Sequence, residues 1–346
     1  MSEIRDLLVN FLKADGLPFY DSLFSLCNGT ITVLENESSS YRPMNSKGVA
    51  GGLLDFAAKE FERLPLVIVP DLHARGYFLM HVLDYSCPAL GGLSVLELLE
   101  AGKMRVVCVG DIFHSEGRCR DRWKRAWKKY YMDEFECDEM VDEMVENLSL
   151  LKMVFTLKTL FPENFHVLKG NHENINNDSE NGNFGFRKFA DEGNMVYDFM
   201  ASHYDEALIH LVNCFEKALP LCAVFPECVI THAEPLYTYD RREIIEKMSE
   251  VTEGLTWTAN DNAEEGSVVS TMRNLYGAAY SDDILWFAGH RPVPNKYLLR
   301  QGGRFVQIHN PNEENVVIIM PDEKIDLEKN IYAVDRPFGS TVFDED

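Results

Sequence analysis

Five apolar segments of this sequence each end in a side chain that can bind a metal ion. They alternate with longer helical stretches between residues 66 and 320, which predicts an α/β domain. Because ligand sites in such sheets gather outside the carboxyl ends of the strands, we expect these side chains to converge on one site. The segments and the residues that follow them are LVIVP with Asp71 and His73, RVVCVG with Asp111, FHVLKG with Asn171 and His172, ECVIT with His232, and ILWFAG with His290.

The residue types at these ends indicate a metal centre. Asp71 and His73 are two positions apart, so their side chains leave an extended chain on the same side. Carboxylate, imidazole and amide oxygen ligands suit Mn, Fe or Zn, whereas the lack of thiolate ligands argues against a structural zinc site. A single strand-end Asp or His is more often a capping or core residue. Five together, three of them directly after glycine, predict a metal site.

Composition excludes several classes of partner. The 346 residues include 56 acidic and 33 basic side chains, a formal net charge of −23. This acidity argues against nonspecific binding to nucleic acid or to an anionic membrane. No segment approaches the ~20 apolar residues of a membrane span, and the first residues lack the pattern of a signal peptide. With eight cysteines that form no C-x-x-C pair, the sequence predicts a cytoplasmic protein with reduced thiols.

The chain divides into three predicted parts, namely an N-terminal extension at 1–64, a core domain at 65–320 and an acidic tail at 321–346. The core contains a charged helical insertion at about 118–146, in which 118–130 holds seven basic residues and 131–146 holds eight acidic ones. Trp123, Trp127 and Tyr130 share one helix face. Two interpretations stay open: a hairpin that pairs with itself, or a basic lip near the active site or a partner surface.

The order D-x-H, G-D, G-N-H-E, H and G-H resembles the calcineurin-like metallophosphoesterases. The nearer resemblance is to their phosphoprotein phosphatase branch, the serine/threonine protein phosphatases, and it covers roughly residues 60–320. The segments that carry it are 147–173 with P-E-N-F and G-N-H-E, 215–236, and LTWT at 255–258. The resemblance implies an α/β (α+β mixed) fold in which two mixed β-sheets pack as a sandwich flanked by helices. It also implies a dinuclear metal site at the carboxyl ends of the strands.

The resemblance assigns a role to each strand-end residue. The two ions are expected to be Mn, Fe or Zn, with Mn the most suited to activity in vitro. They activate a water that attacks phosphorus, and His172 protonates the leaving group. The G-H-x-H variant of the family is absent, because Arg291 and Pro292 follow His290. The first metal is expected at Asp71, His73 and Asp111, with Asp111 bridging to a second metal at Asn171, His232 and His290.

One motif departs from the family pattern G-D-x-V-D-R-G. His114 stands where the family has an aspartate beside the general acid, and Ser115 stands where it has a phosphate-binding arginine. Glu116 is the candidate to supply the missing carboxylate. His309 lies where the family has a loop near the metals, and a structural role is favoured for it. The predicted phosphate-binding residues are Arg118, Arg273 and Arg75.

These features predict a two-metal phosphomonoesterase that acts on a phosphoprotein or a small phosphoester. One alternative is a nucleotide phosphoesterase that hydrolyses diadenosine polyphosphates or cyclic phosphodiesters, because the same metal core serves both reactions. Another is a catalytically weak, phosphatase-like binding module, which the altered Asp-Arg pair motivates. The physiological substrate, the native metal pair, the oligomeric state and any regulatory partner stay open.

Overall fold

The computed structural model of the protein describes residues 2–334. No helix in this range combines the length and hydrophobicity needed to cross a membrane. The helices are α1 (Glu3–Leu12), α2 (Tyr20–Glu35), α3 (Gly76–Asp84), α4 (Val95–Glu100), α5 (Arg120–Tyr130), α6 (Asp138–Leu160), α7 (Glu192–His203), α8 (Glu206–Ala218), α9 (Arg241–Glu246), α10 (Ser249–Thr256), α11 (Ser267–Tyr276) and α12 (Leu327–Asn330). The strands are β1 (Leu53–Asp55), β2 (Leu66–Val69), β3 (Arg105–Cys108), β4 (Phe165–Val167), β5 (Cys222–Val224), β6 (Cys228–Thr231), β7 (Leu285–Ala288), β8 (Leu298–Arg300), β9 (Phe305–Gln307), β10 (Asn315–Ile319) and β11 (Ile331–Ala333).

The strands form two mixed sheets. The first sheet has the order β11-β10-β2-β3-β4, in which β2, β3 and β4 are parallel neighbours. The second sheet has the order β1-β5-β6-β7-β9-β8, in which β6, β7 and β9 are parallel neighbours. Each sheet therefore presents the carboxyl ends of three parallel strands at one edge. The predicted fold class is confirmed.

The sheets pack face to face because their strands are apolar on both sides. Ile68 of β2 and Phe287 of β7 point into the core between the sheets. Val67 and Val69 point the other way, onto the helical layer that contains α1 to α8. Trp286 of β7 points onto the layer that contains α9 to α11. Continuous apolar runs are typical of strands that are buried on both faces, and they place the six parallel strands in the interior.

The two predicted domain boundaries fall inside the sheets. Leu53 of β1 pairs with Cys222 of β5, so the segment 1–64 contributes an edge strand to the second sheet. Val317 of β10 pairs with Ile331 of β11, so the chain beyond residue 320 continues the first sheet. The rest of the predicted acidic tail, from residue 335 onward, lies outside the described residues. Neither terminal segment is separate from the core in the described range.

The charged insertion forms α5 and the start of the long helix α6. Its basic residues pair with acidic residues of α6, as in Arg122 Nη1 with Glu146 Oε1 at 2.7 Å and Lys129 Nζ with Glu139 Oε2 at 2.7 Å. Trp123 is buried against the same helix layer. These contacts favour the interpretation in which the hairpin pairs with itself.

Candidate metal centre and active site

Six strand ends converge at one edge of the sandwich, and each delivers a polar side chain that is buried or, for His290, half-buried. Three come from the first sheet and three from the second. The five predicted ends are brought together, and a sixth joins them from β9. The residues are Asp71 and His73 after β2, Asp111 after β3, Asn171 and His172 after β4, His232 after β6, His290 after β7, and His309 after β9.

The loops that carry these ligands turn sharply. His73, Asp111 and His290 have positive φ values of 45°, 54° and 64°. This left-handed region is unfavourable for residues other than glycine, although Asp and His tolerate it better than most. Strained backbone of this kind concentrates at functional sites, where the surrounding structure holds it in place. The turns aim the side chains back over the ends of their own strands.

Glycines directly before the ligands allow the loops to approach one another. A Cβ atom on Gly289 would lie 1.7 Å from Asp71 Oδ1, and one on Gly170 would lie 2.2 Å from Asp111 Oδ1. Both distances are far inside van der Waals contact. Any other residue at either position would therefore displace a predicted ligand.

Glu173 ties two loops of the first sheet together. Its Oε2 accepts hydrogen bonds from the backbone N–H groups of Gly170 at 2.6 Å and Asp111 at 3.0 Å, and its Oε1 accepts one from Ile112 at 2.6 Å. The last residue of the G-N-H-E motif thus fixes the positions of ligand loops without facing the pocket.

Asn171, His232 and His290 form one compact donor group. Asn171 Oδ1 lies 2.9 Å from His232 Nε2 and 2.8 Å from His290 Nδ1, and the two nitrogens are 3.2 Å apart. The Val109 carbonyl, 2.9 Å from His232 Nδ1, can only accept a hydrogen bond, so it favours the tautomer with the proton on Nδ1 and a lone pair on Nε2. That lone pair faces an amide oxygen. Ligands that bind one ion at ~2.0–2.2 Å and at right angles lie about 3 Å apart, so this group fits a metal ion.

Asp71, His73 and Asp111 form the adjacent group. His73 Nδ1 donates to the His114 carbonyl at 3.2 Å, which leaves its Nε2 lone pair facing Asp71 Oδ2 at 3.8 Å and Asp111 Oδ2 at 3.6 Å. Asp111 Oδ2 is also 3.4 Å from His232 Nε2. Asp111 therefore lies between the two groups, as a bridging ligand must.

The protonation states suit bound cations. Burial raises the pKa of Asp71 to about 7, and the charge of neighbouring Asp111 adds to the rise. Burial and the neighbouring carboxylate of Glu173 raise the pKa of Asp111 well above its usual value. Burial lowers the pKa of His73 to about 4, which keeps its imidazole neutral and free to bind. A nearby positive charge would stabilise these buried carboxylates. Together with neutral imidazoles, they form a ligand set for divalent transition metals.

His309 belongs to the same cluster. It is 1% exposed, and its Nδ1 lies 3.7 Å from Asp71 Oδ2. Its ligand atoms, with those of Asp71 and His73, lie within 4.8 Å of one another. The sequence favoured a structural role for His309. The segment before it, FVQI, is apolar apart from Gln307, which weakens the strand-end signal seen at the other candidate ligands.

His172 lies beside this centre and is paired with His114. The two Nδ1 atoms are 2.8 Å apart, and the ring of Phe186 covers His172 with centroids 3.8 Å apart. His172 Nε2 lies 3.7 Å from Asp111 Oδ2 and 4.0 Å from Glu116 Oε1. Two carboxylates facing Nε2 favour a proton on that atom. His114 then donates from its own Nδ1 to His172.

A cavity of about 290 Å³ opens onto His172, Asn171 and His290. Its wall includes three cationic side chains, Arg187, Lys188 and Arg291, which the sequence did not single out. Lys188 Nζ also pairs with Glu116 Oε1 at 2.7 Å. The arrangement places positive charge and a histidine around the same space as the donor groups.

Comparison with solved structures identifies the fold. A protein serine/threonine phosphatase from Saccharomyces cerevisiae with similarity to human phosphatase PP5 matches with a TM-score of 0.58 and 15% identity, covering 96% of this chain and 95% of that chain. The chain shares the fold of this phosphatase. A cold-active protein-tyrosine phosphatase of a psychrophilic Shewanella species matches with a TM-score of 0.39 and 10% identity, over 81% of this chain and 82% of that chain. No protein-family model matches the sequence, and the search of curated proteins finds no match.

The three arginines predicted to bind phosphate lie elsewhere in the structure. Arg273 is exposed on α11, with its guanidinium 5.4 Å from the ring centroid of Tyr280. Arg118 pairs with Glu146. Arg75 donates to the backbone carbonyl of Asp71 at 2.6 Å, behind the donor group. Among the described residues, the 290 Å³ cavity is lined by none of these three. Their positions give the predicted phosphate roles no support.

Ser115 occupies the other altered position of the metallophosphoesterase motif. Its backbone N–H donates to Glu143 Oε1 of α6 at 2.9 Å, and its hydroxyl donates to Glu143 Oε2 at a short distance. Ser115 therefore anchors the loop after β3 to the charged hairpin. The cationic side chains that line the pocket come from other loops, at 187–188 and 291.

Proposed function

We propose that this chain is a metal-dependent phosphomonoesterase that acts on phosphorylated proteins or small phosphoesters. The observation that carries the proposal is the convergence of six strand ends beside a cavity lined by His172 and three cationic side chains. The fold likeness to a serine/threonine phosphatase supports the same class of reaction. Fold alone does not fix a substrate, so the argument rests on the site.

Two ions fit the two donor groups. When bound, they supply a water of lowered pKa and offset negative charge on the phosphoryl oxygens. Mn, Fe and Zn suit the mixture of imidazole, carboxylate and amide ligands. In this proposal one ion is held by Asp71, His73 and Asp111, and the other by Asp111, Asn171, His232 and His290.

The cationic side chains of the cavity bind the phosphoryl group. Arg291 follows His290 directly, and its Nε is buried without a hydrogen-bond partner among residues 2–334. A guanidinium matches phosphate oxygens in geometry and charge. Lys188 adds a point charge from the opposite loop. Together these groups offset the repulsion between a phosphate and a chain of net charge −23.

In the proposed step His172 takes up a second proton on Nδ1, which then donates to Nδ1 of His114. This imidazolium transfers its Nε2 proton to the leaving-group oxygen and is left as a neutral imidazole. Its ring is held by Nδ1 contact with His114 at 2.8 Å and by the face of Phe186. Protonation of a poor leaving group by a positioned acid is typically worth ~10²–10⁴-fold in rate. The proposal requires His172 to lie near the bound ester without binding a metal itself.

His114 and Glu116 together replace the carboxylate that the family motif has at the position of His114. His114 orients His172 through Nδ1. Glu116 supplies negative charge 4.0 Å from His172 Nε2. Although burial raises the pKa of Glu116, the hydrogen bond and positive charge of Lys188 help to hold that pKa below its usual value, so Glu116 stays ionised.

The proposal is tested with purified full-length protein. Bound metal is measured first, and hydrolysis is then assayed with added Mn²⁺ against p-nitrophenyl phosphate, a phosphopeptide and a dinucleotide polyphosphate. We expect two ions per chain and turnover of the monoesters. Preferential hydrolysis of the dinucleotide would replace the proposal with a nucleotide phosphoesterase. Two bound ions with no turnover of any substrate would favour a binding module.

A further inference from the structure

We infer that His309 is an additional ligand of the metal ion that Asp71 and His73 hold. The inference rests on the proposed function in so far as that function requires a metal in this group. It adds a third strand of the second sheet to the metal centre, and it gives the first ion a second imidazole.

The backbone of His309 is fixed from two directions. The preceding residue, Ile308, donates its N–H to the carbonyl of Ala288 at 2.9 Å, which continues the parallel pairing of β9 with β7. The carbonyl of His309 itself accepts a hydrogen bond from Val293 at 2.8 Å. Val293 follows the predicted ligand His290 by three positions, so the two histidines are held by the same pair of loops.

The side chain of His309 makes no hydrogen bond with the described residues. Its ring meets that of His73 edge to face with centroids 5.4 Å apart, and its Nδ1 is 3.7 Å from Asp71 Oδ2. That separation is too long for a hydrogen bond. Both ring nitrogens are buried without a hydrogen-bond partner among residues 2–334. Buried polar atoms are almost always paired, so an unpaired imidazole aimed at a carboxylate points to an ion between them.

His166 shows what a structural histidine looks like in this protein. It is as buried as His309, at 1% exposure. Its Nδ1 lies 3.2 Å from Lys158 Nζ, and its Nε2 lies 3.1 Å from the carbonyl of Glu163. Both nitrogens of His166 are therefore satisfied by the protein, whereas neither nitrogen of His309 is.

A second imidazole changes which metals the first group prefers. Asp71, His73, Asp111 and His309 together offer two carboxylates and two neutral nitrogens. Imidazole ligands suit Zn and Fe, whereas carboxylate and water ligands suit Mg, Ca and Mn. We therefore expect His309 to raise affinity for transition metals at this group and to leave the group of Asn171, His232 and His290 unchanged.

The test replaces His309 and measures metal binding directly. His309→Phe fills the space without a lone pair, and His309→Asn is a second variant in case the first does not fold. Folding of each metal-free protein is checked by circular dichroism and thermal melting. Metal-free protein is titrated calorimetrically with Zn²⁺ and Mn²⁺, and Co²⁺-loaded protein is examined by absorption spectroscopy. His203→Phe, at an exposed site remote from the metal groups, is the control.

We expect one of two binding events to weaken by at least about 10- to 100-fold, the loss seen when groups that support a metal ligand are removed. The other event should keep its affinity, and the Co²⁺ spectrum should change in shape. Unchanged affinities and spectra in a folded variant would overturn the inference. Asp71→Asn separates the two proposals. If Asp71→Asn weakens an ion and His309→Phe does not, the inference on His309 fails alone. If neither does, the proposed metal centre fails too.

Discussion

The two sheets deliver three parallel strands each to the metal centre, but they deliver different chemistry. The first sheet contributes two carboxylates, Asp71 and Asp111, the amide of Asn171 and one imidazole, His73. The second sheet contributes three imidazoles and no carboxylate. The first sheet thus supplies the charge that attracts cations, while the second supplies most of the nitrogen ligands, which suit Zn and Fe better than Mg and Ca.

The sheets also differ in how their ligands are held. Loops of the first sheet are tied to one another by Glu173. The loop after β7 in the second sheet depends on the first, because the N–H of His290 donates to the Asp71 carboxylate at 2.9 Å to Oδ2 and 3.1 Å to Oδ1. A change in a first-sheet ligand should therefore reach the second sheet, whereas the reverse effect should be weaker.

The largest expected effect is the loss of the bridging carboxylate. Asp111→Asn removes the charge that faces both donor groups, so we expect activity to fall to background and both ions to bind more weakly. The fall should exceed the ~10- to 100-fold typical of residues that only support ligands. His290→Asn, in the second sheet, should weaken one ion alone. Metal content and hydrolysis of p-nitrophenyl phosphate check both.

The control for Asp111→Asn is Asp121→Asn, a change of the same type at an exposed position of α5. It should leave metal content and rate unchanged. If Asp111→Asn retains two ions and full activity, the bridging assignment is wrong. If His290→Asn lowers both ions as much as Asp111→Asn does, the proposed difference between the sheets is wrong.

The second prediction concerns His172, which follows a first-sheet ligand without belonging to either donor group. His172→Asn should lower kcat for an alkyl phosphate by ~10²–10⁴-fold while both ions stay bound. The loss should be much smaller for p-nitrophenyl phosphate, because its leaving group needs less protonation. An equal loss for both substrates would argue against proton donation.

The sequence predicted the site better than its surroundings. Asp71, Asp111, Asn171, His232 and His290 were found because each ends a continuous apolar run. The sequence did not single out His309 as a ligand, and Gln307 interrupts the apolar run before it. Strands β1 and β11 have three residues each, which is too short for a periodic signal, so the sequence did not indicate that the terminal segments contribute strands to the sheets.

The phosphate-binding arginines were the weakest part of the sequence-based interpretation. Spacing along the chain suggested Arg273, but spacing does not tell on which face of α11 a side chain lies. The cations that do line the cavity, Arg187 and Lys188, come from the irregular segment between β4 and α7. Such a segment has neither helical nor strand periodicity, so only the three-dimensional structure brings these residues to the pocket.

The third prediction uses His166, which lies within β4 and not at its end. Burial and the charge of Lys158 lower the pKa of His166 to about 4. As pH falls through 6.5, His166 is protonated in the unfolded chain but stays neutral in the folded chain. The free energy of unfolding therefore falls between pH 6.5 and pH 4. From pH 6.5 to 5 this one group should cost about 2 kcal/mol.

Urea denaturation of the wild type and of His166→Gln at pH 7 and pH 5 measures this contribution. The variant should lose less stability on acidification than the wild type does, whatever its stability at pH 7. Because both proteins keep the strand-end histidines, their titration cancels in the difference. His203→Gln, with a side chain 34% exposed, should behave like the wild type. A variant with an unchanged pH dependence would show that His166 is not held neutral.

The smallest expected effect compares two cations that reach the cavity from different sheets. Lys188 comes from the loop after β4, and its side chain is 41% exposed. Arg291 comes from the loop after β7, and its Nε is buried. Lys188→Ala should raise KM for a phosphopeptide by less than about tenfold, and added salt should erase the difference because exposed charges are screened.

Arg291→Ala should raise KM by more than Lys188→Ala, and its effect should persist in salt because a partly buried guanidinium is screened less. KM is measured at 0.05 M and 0.5 M NaCl for both variants, with Lys124→Ala on the exposed face of α5 as the control. The informative quantity is the ratio of variant to wild type at each salt concentration. If both ratios fade equally with salt, the two cations act only through their long-range field. If neither variant changes KM at low salt, Lys188 and Arg291 do not bind the phosphate. The loops after β4 and β7 then contribute no phosphate-binding group through these two residues.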